Sequence, residues 1–445
     1  NFLLELAQSH RSELKRILKG AETAQALIAV TGASSALCDF IRRRPESLEV
    51  FSKSNLVLPT TQQLYDRFAA AVKKPLASAS ITDAWVDLRV AYRFELLRLA
   101  AFDLMASAPS EAFPKVSAHL ADLAGAALET GLQIAYRELE ASNDFGTFTR
   151  EELEDTRLAV IAMGKCGARE LNYISDVDVI YVADTADQRT SVERALEIAT
   201  KLATRMMRAM DGNAAEPALW QVDPNLRPEG KSGSLVRTLT SHISYYERWA
   251  QNWEFQALLK ARCVAGDRAL GAAYEEATAA FVWVSAGRDG FVESAQKMRE
   301  RVMEYIPESE VDRQIKLGPG GLRDIEFTVQ LLQLVHGRTD TSVRQRETLA
   351  GIASLRDAGY ISRDDAETFA SHYRFLRSLE HRIQLAGMRR THLMPTEELA
   401  QRAIARSLGL RSSEELISKW SQVKAEVRSL HQRVFYRPLL SATAR

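Results

Sequence analysis

Apolar residues recur at helical spacing through the first hundred positions. Leu3, Leu4, Leu14, Ile17 and Leu18 open the pattern, and Pro and Gly are scarce. In 81–99, Trp85, Leu88, Tyr92, Leu96 and Leu99 recur every three or four residues, as along one buried helix face. Residues 115–141 (KVSAHLADLAGAALETGLQIAYRELEA) add a long, Ala-rich helical stretch. Then the period shifts. RLAVIAM at 157–163, closed by Gly164, VDVIYVA at 177–183 and ALWQVD at 218–223 each predict a buried strand. GKCGARELNYI at 164–174 leaves room for a turn and a short helix. Past about residue 265 the helical period returns. DIEFTVQLLQLVH at 324–336 follows the breakers Gly318, Pro319, Gly320 and Gly321. Ser362 is expected to cap a helix buried along Phe369, Tyr373, Leu376, Leu379 and Ile383, and a last helix is expected over 414–435.

The pattern predicts an α+β protein: a helical N-terminal region over 1–105, a small mixed-sheet domain over 106–268, and a C-terminal helical bundle over 269–445. With 445 residues, the chain exceeds what one hydrophobic core supports. No internal repeat or low-complexity tract interrupts it. Asn1, rather than Met, opens the chain, which reads as a piece of a longer protein.

Composition narrows the function classes. Lys+Arg and Asp+Glu are each 58, so no net charge draws the chain to nucleic acid or a membrane surface. No apolar run approaches the length of about 18 residues that a membrane helix needs. Cys38, Cys166 and Cys263 lack framework spacing, which points to a reducing, cytoplasmic setting. The eight histidines form no HExxH, and GxSxG, GxGxxG and P-loop patterns are missing. His372 and His381 are nine residues apart, too far for one metal, and read as structural.

Acidic residues supply the positive signal. Asp176 and Asp178 share one face at the start of a predicted strand, because side chains alternate there. Asp223 ends another predicted strand, and a neighbouring position would set it beside the pair. Carboxylates without His or Cys suit a hard cation such as Mg²⁺, which can clamp a phosphoryl group in displacement. Gly164 and Lys165 open the turn before the pair, where a helix N-terminus would attract phosphate. Arg227, Lys260, Arg262, Lys316 and Arg323 are candidate phosphate or nucleotide ligands. Each is equally open to a structural role, as a surface cation or the partner of an acid such as Glu229 or Glu326. Asp324 and Glu326 open a helix after the flexible GPGG tetrad; they either answer the helix dipole or support metal-bound phosphate from behind.

VIAMGKCGARELNYISDVDVIYVAD resembles the signature of the glutamine synthetase adenylyltransferase/adenylyl-removing enzyme family. VDPNLRPEGKSGSLVRTL, YYERWAQNWEFQALLKARCVAGD, IKLGPGGLRDIEFTVQLLQLVHG and YRFLRSLEHRIQL agree with it in order, over about 155–395. The wording ALLKARCVAGD and EHRIQL is similar to actinobacterial members. Cys166, Ala168 and the Pro-Asn of VDPNLRP depart from the commoner forms, and Asn225 stands where a basic residue is usual. The resemblance implies a nucleotidyltransferase (polymerase-beta-like) fold, with Asp176, Asp178 and Asp223 as Mg²⁺ ligands. KLGPGG, LRDIEF and the helical lead-in look like the N-terminal, adenylyl-removing half. That half takes AMP from a tyrosine of adenylylated glutamine synthetase with inorganic phosphate, giving ADP. The family responds to a PII-type signal protein. The opposite reaction, adenylylation from ATP, and a non-catalytic module with the same fold are the alternatives.

Overall fold

The computed structural model describes residues 2–73, 81–141 and 148–436. Short helices occupy Phe2–Ser9, Arg11–Leu18, Ala21–Ala33, Ser35–Arg43 and Thr61–Ala71. Their breaks are chemical. Ser34 accepts from the Leu37 amide, and Thr60 forms a reciprocal capping box with Gln63. Two long helices follow, α1 (Ile81–Leu104) and α2 (Pro109–Ala141). The small residues of α2, among them Ala121, Ala124, Ala127 and Gly131, are fully or almost fully buried against its neighbours.

The sheet is built from β1 (Thr156–Ala162), β2 (Val177–Thr185), β3 (Val222–Asp223), β4 (Val236–Arg237) and β5 (Arg262–Gly266). Its order is β3-β2-β1-β5, with β4 also pairing β2. β1 runs antiparallel to β2 and β5, while β3 and β4 run parallel to β2. Between β1 and β2 lies the single turn α3 (Gly164–Gly167), and α4 (Val192–Asp211) follows β2. Both faces of the sheet are covered, which explains its uninterrupted apolar runs. Leu158, Val160, Val179 and Tyr181 join a core with α1, α2 and α4. Ala159, Ile161, Ile180 and Val182 face a second core. That core contains residues of α5 (Asn252–Leu258), α6 (Arg268–Val284), α7 (Phe291–Glu304) and α8 (Leu322–His336). α8, α9 (Thr348–Asp357), α10 (Arg363–Gly387) and α11 (Ser413–His431) enclose a third.

The first two expected strands are present within one or two residues at each end. The third shortens from 218–223 to Val222–Asp223. Its first residues are held elsewhere: Arg93 of α1 donates to the Ala218 carbonyl at 2.8 Å, and the Leu219 amide donates to the Met210 carbonyl of α4 at 2.9 Å. β4 and β5 are strands the pattern does not announce. β5 lies inside ALLKARCVAGD, too short and too charged at its start to alternate. Ser362 caps α10 by accepting from the Asp365 amide, and Phe369, Tyr373, Leu376, Leu379 and Ile383 are buried as expected. The last helix runs Ser413–His431 and ends in a wider π turn over Gln432–Tyr436. Among the described residues, no single helix is long and apolar enough to cross a membrane.

Candidate active site

β1 leads into the turn that shapes the site. Met163 donates its amide to the Asp178 carbonyl at 2.8 Å, so the turn is clamped against the start of β2. Gly164 has φ +53°, and a Cβ there would lie 2.8 Å from Asp178 Oδ2. A Cβ on Gly167 would lie 2.0 Å from the Lys260 carbonyl oxygen. Only glycine lets the backbone come this close to a carboxylate and to a neighbouring chain. The expectation of a phosphate-attracting helix end needs correction, since α3 is four residues long and lacks a run of aligned peptides.

Parallel pairing of β2 and β3 sets Asp178 level with Asp223. Burial, and then the charges of Asp223 and Asp176, push the Asp178 carboxyl up to about 6. Asp176 is turned aside into an ion pair with Arg390. Among the described residues, no three His, Cys, Asp or Glu side chains form a ready metal cage. The expected three-carboxylate convergence is therefore realised as a pair, Asp178 and Asp223, with Asp176 diverted. A pair still fits a hard divalent cation, because Mg²⁺ is commonly held by one or two carboxylates plus substrate phosphate and water. The Asp178 pKa is raised first by burial and then by neighbouring negative charge, and a bound cation would offset both.

The cleft has a volume of about 370 Å³. Gly164, Asp176, Asp178 and Asp223 line it, and Lys165, Lys260, Lys316, Arg323, Arg390 and Glu326 face them. The cations are held by buried acids. Glu380, fully buried, meets Lys165 at 3.1 Å, Arg377 at 3.0 Å and His392 Nδ1 at 2.9 Å. Glu170 meets Lys260 at 3.2 Å and accepts from the Thr348 amide, the Thr348 hydroxyl and the Tyr373 hydroxyl. Arg323 pairs with Glu326 at 3.1 Å. Burial, then Arg377, push Lys165 down to about 7 against the pull of Glu380. Burial and Arg323 likewise lower Lys316. For Glu326 burial acts upward, but Arg323, Lys165, Lys260 and Lys316 outweigh it and hold the carboxyl near about 2. One wall of the cleft thus gathers negative charge and the other positive.

Three expected site residues lie elsewhere. Arg227 donates to the carbonyls of Pro224, Gly233 and Lys231 at 2.9, 3.1 and 3.3 Å, tying its own loop. Arg262 donates to the carbonyls of Cys166 and Gly167, both at 3.0 Å. It lines a separate hollow of about 460 Å³ that contains none of the three aspartates. Asp324 pairs with buried Arg299 at 2.6 Å and accepts from the Gly320 amide at 2.7 Å, so it anchors the GPGG loop. Conversely, Glu170, Arg377, Glu380, Arg390 and His392 carry the electrostatics of the cleft without having been singled out. The only trace was that Glu170 lies in GARELN, and Arg377 and Glu380 in YRFLRSLEHRIQL.

The family model for glutamate-ammonia ligase adenylyltransferase matches residues 24–277, more than half of the chain. The chain belongs to this family. The model for GlnD PII-uridylyltransferase matches residues 293–435 of this adenylyltransferase-family chain. Relatives named bifunctional glutamine synthetase adenylyltransferase/adenylyl-removing enzyme resemble it throughout. The one from Leifsonia xyli is 52% identical over 96% of this chain and 43% of its own length. That of Streptomyces coelicolor is 50% identical over 94% and 40%. That of Mycobacterium avium is 46% identical over 94% and 40%. The chain spans less than half the length of these curated relatives. Their actinobacterial sources agree with the wording of its motifs.

Proposed function

We propose that the cleft removes the adenylyl group from the modified tyrosine of glutamine synthetase by phosphorolysis, releasing ADP. The observation that carries this reading is a level pair of carboxylates facing a wall of cations. Asp178 and Asp223 would hold Mg²⁺, joined by Asp176 once Arg390 lets go. Bound there, Mg²⁺ supplies positive charge to the phosphoryl oxygens. Lys165, Lys260, Lys316 and Arg323 orient phosphate oxygens and balance their charge. An oxygen of free phosphate attacks the adenylyl phosphorus, and the bond from phosphorus to tyrosine oxygen breaks. ADP forms, and the tyrosine oxygen leaves with the electron pair and then takes a proton. Gly164 lets Asp178 sit against the turn; Arg227, Arg262 and Asp324 serve by holding backbone. The assignment to the adenylyl-removing half rests on the resemblance of KLGPGGLRDIEF and the helical lead-in. A PII-type signal protein as partner and a cytoplasmic location belong to the same reading.

Incubating the chain with adenylylated glutamine synthetase, Mg²⁺ and phosphate should release ADP. Asp178→Asn and Asp223→Asn should each lower that release by about 10³-fold, the scale of losing one charge-stabilising group. Near-normal release from either variant refutes the assignment. Pyrophosphate released from ATP, in place of ADP from phosphate, would favour adenylylation instead.

A further inference from the structure

Three chemically different walls meet in the cleft. Asp178 and Asp223 form one. Leu226, Trp253, Met298, Val302 and Phe327 form an apolar one, the surface that suits an adenine ring. The third is rich in Lys and Arg side chains. Lys165 and Arg377 pair with Glu380, Lys260 with Glu170 and Arg323 with Glu326, all three acids buried, while Lys316 has no ion pair of its own among the described residues. Burial lowers the pKa of His392, so it adds no firm charge.

The same wall holds polar atoms with nothing to bind. Glu326 Oε1 and Arg323 Nε are buried without a hydrogen-bond partner, and Glu326 is only 2% exposed. Lys316 makes no side-chain hydrogen bond or ion pair among the described residues, although it lines the cleft. An orphan acceptor beside an orphan donor is costly unless a ligand or water completes both. Sulfate and a phosphodiester have oxygens to accept but no proton to give. Hydrogen phosphate has both.

We propose that this wall is a subsite for one hydrogen phosphate dianion. Lys316 and Arg323 donate to its oxygens, Glu326 Oε1 accepts its P–OH proton, and Glu380 is the positioning residue that holds Lys165 beside it. The assignment deepens the phosphorolysis reading and rests on it for the source of the anion, the free phosphate that attacks. The nucleotide then lies against the apolar wall.

Calorimetric titration of the 445-residue chain with phosphate, sulfate and ADP, at fixed ionic strength and without Mg²⁺, tests this. Phosphate should bind about tenfold more tightly than sulfate, the worth of one hydrogen bond to a charged acceptor. Glu326→Gln should abolish that preference, an effect a merely structural role would not produce. Lys316→Met should weaken phosphate about tenfold. Glu380→Gln should also weaken phosphate, although it removes a negative charge; tighter binding would overturn the positioning role. Should Glu380→Gln not fold, Lys316→Met still decides, since that side chain has no partner to lose. Failure of the wild-type chain to bind phosphate, equal affinity for sulfate, or unchanged binding in Lys316→Met overturns the subsite. So does ADP that binds more tightly than phosphate and loses the same factor in Lys316→Met, since nucleotide phosphates would then fill it. Phosphate bound with the stated preference, but no ADP formed from adenylylated glutamine synthetase, would uphold the subsite and refute the reaction.

Discussion

Gly164→Ala puts one methyl group where the turn meets the metal-binding wall. The backbone there has φ +53°, a left-handed conformation that costs an L-residue about 1–2 kcal/mol. The new Cβ would stand 2.8 Å from Asp178 Oδ2, against 3.4 Å for ordinary contact, so the carboxylate must retreat by about 0.6 Å. Asp178 is hemmed in by burial and by its level neighbour Asp223, and the shift acts directly on the pair. Misplacement by about 1 Å costs about 10²-fold in rate, so this shift should cost about tenfold or more. Thermal unfolding should move down by about 1–2 °C, since an unfolding entropy of about 2.1 cal/mol/K per residue over 445 residues makes 1 kcal/mol worth about 1 °C. Gly290→Ala is the control: its φ is +65°, and a Cβ there meets nothing within 4 Å. It should lose similar stability and keep full ADP release. Wild-type Mg²⁺ affinity and ADP release in Gly164→Ala would refute the claim that this glycine exists to admit Asp178.

Asp324→Ala leaves Arg299 buried and unpaired, and denaturant unfolding should show a loss of about 3–5 kcal/mol. A change under 1 kcal/mol, an exposed pair's worth, would show that the pair does not hold the GPGG loop. Arg390→Ala releases Asp176 and should tighten Mg²⁺ in a substrate-free titration; weaker binding would mean that Arg390 does not compete for that carboxylate. Burial pushes His242 down to about 4, so the unfolded chain binds its proton first as pH falls. The cost of keeping it neutral is nil above about pH 6.5 and grows as pH falls toward 4, so that stability has dropped by about 2.5 kcal/mol at pH 4.5. Melting curves of His242→Gln against wild type should converge as pH falls through that window; a constant gap would contradict the linkage.

Local pattern made much of this protein legible. β1 and β2 were readable because both faces are buried, so their runs are apolar throughout and end at Gly164 and at loop residues. α10 showed the three-to-four spacing of a buried helix face, and Ser362 announced its cap; α8 followed the breakers of the GPGG tetrad. Asp176 and Asp178 stood out as charges at the edge of an apolar strand. β4 and β5 escaped because a strand of two or five residues has no period of its own; it exists through its partner. Arg227, Arg262, Lys260 and Lys316 were indistinguishable as sequence letters. In space, two hold backbone carbonyls and two line the cleft.

By itself the sequence determined which segments fold as helix or strand, where the turn needs glycine, and that carboxylates and cations would be present. Those properties follow from neighbours within a few residues. The tertiary structure alone decided that Asp178 stands level with Asp223, that Asp176 is claimed by Arg390, and that Glu380 and Glu170 secure the cations from behind. Strand register and buried ion pairs join residues up to 279 positions apart, as Asp103 and Arg382 are. Desolvation acts only once the chain has closed around a charge, and nothing in the order of residues specifies it in advance.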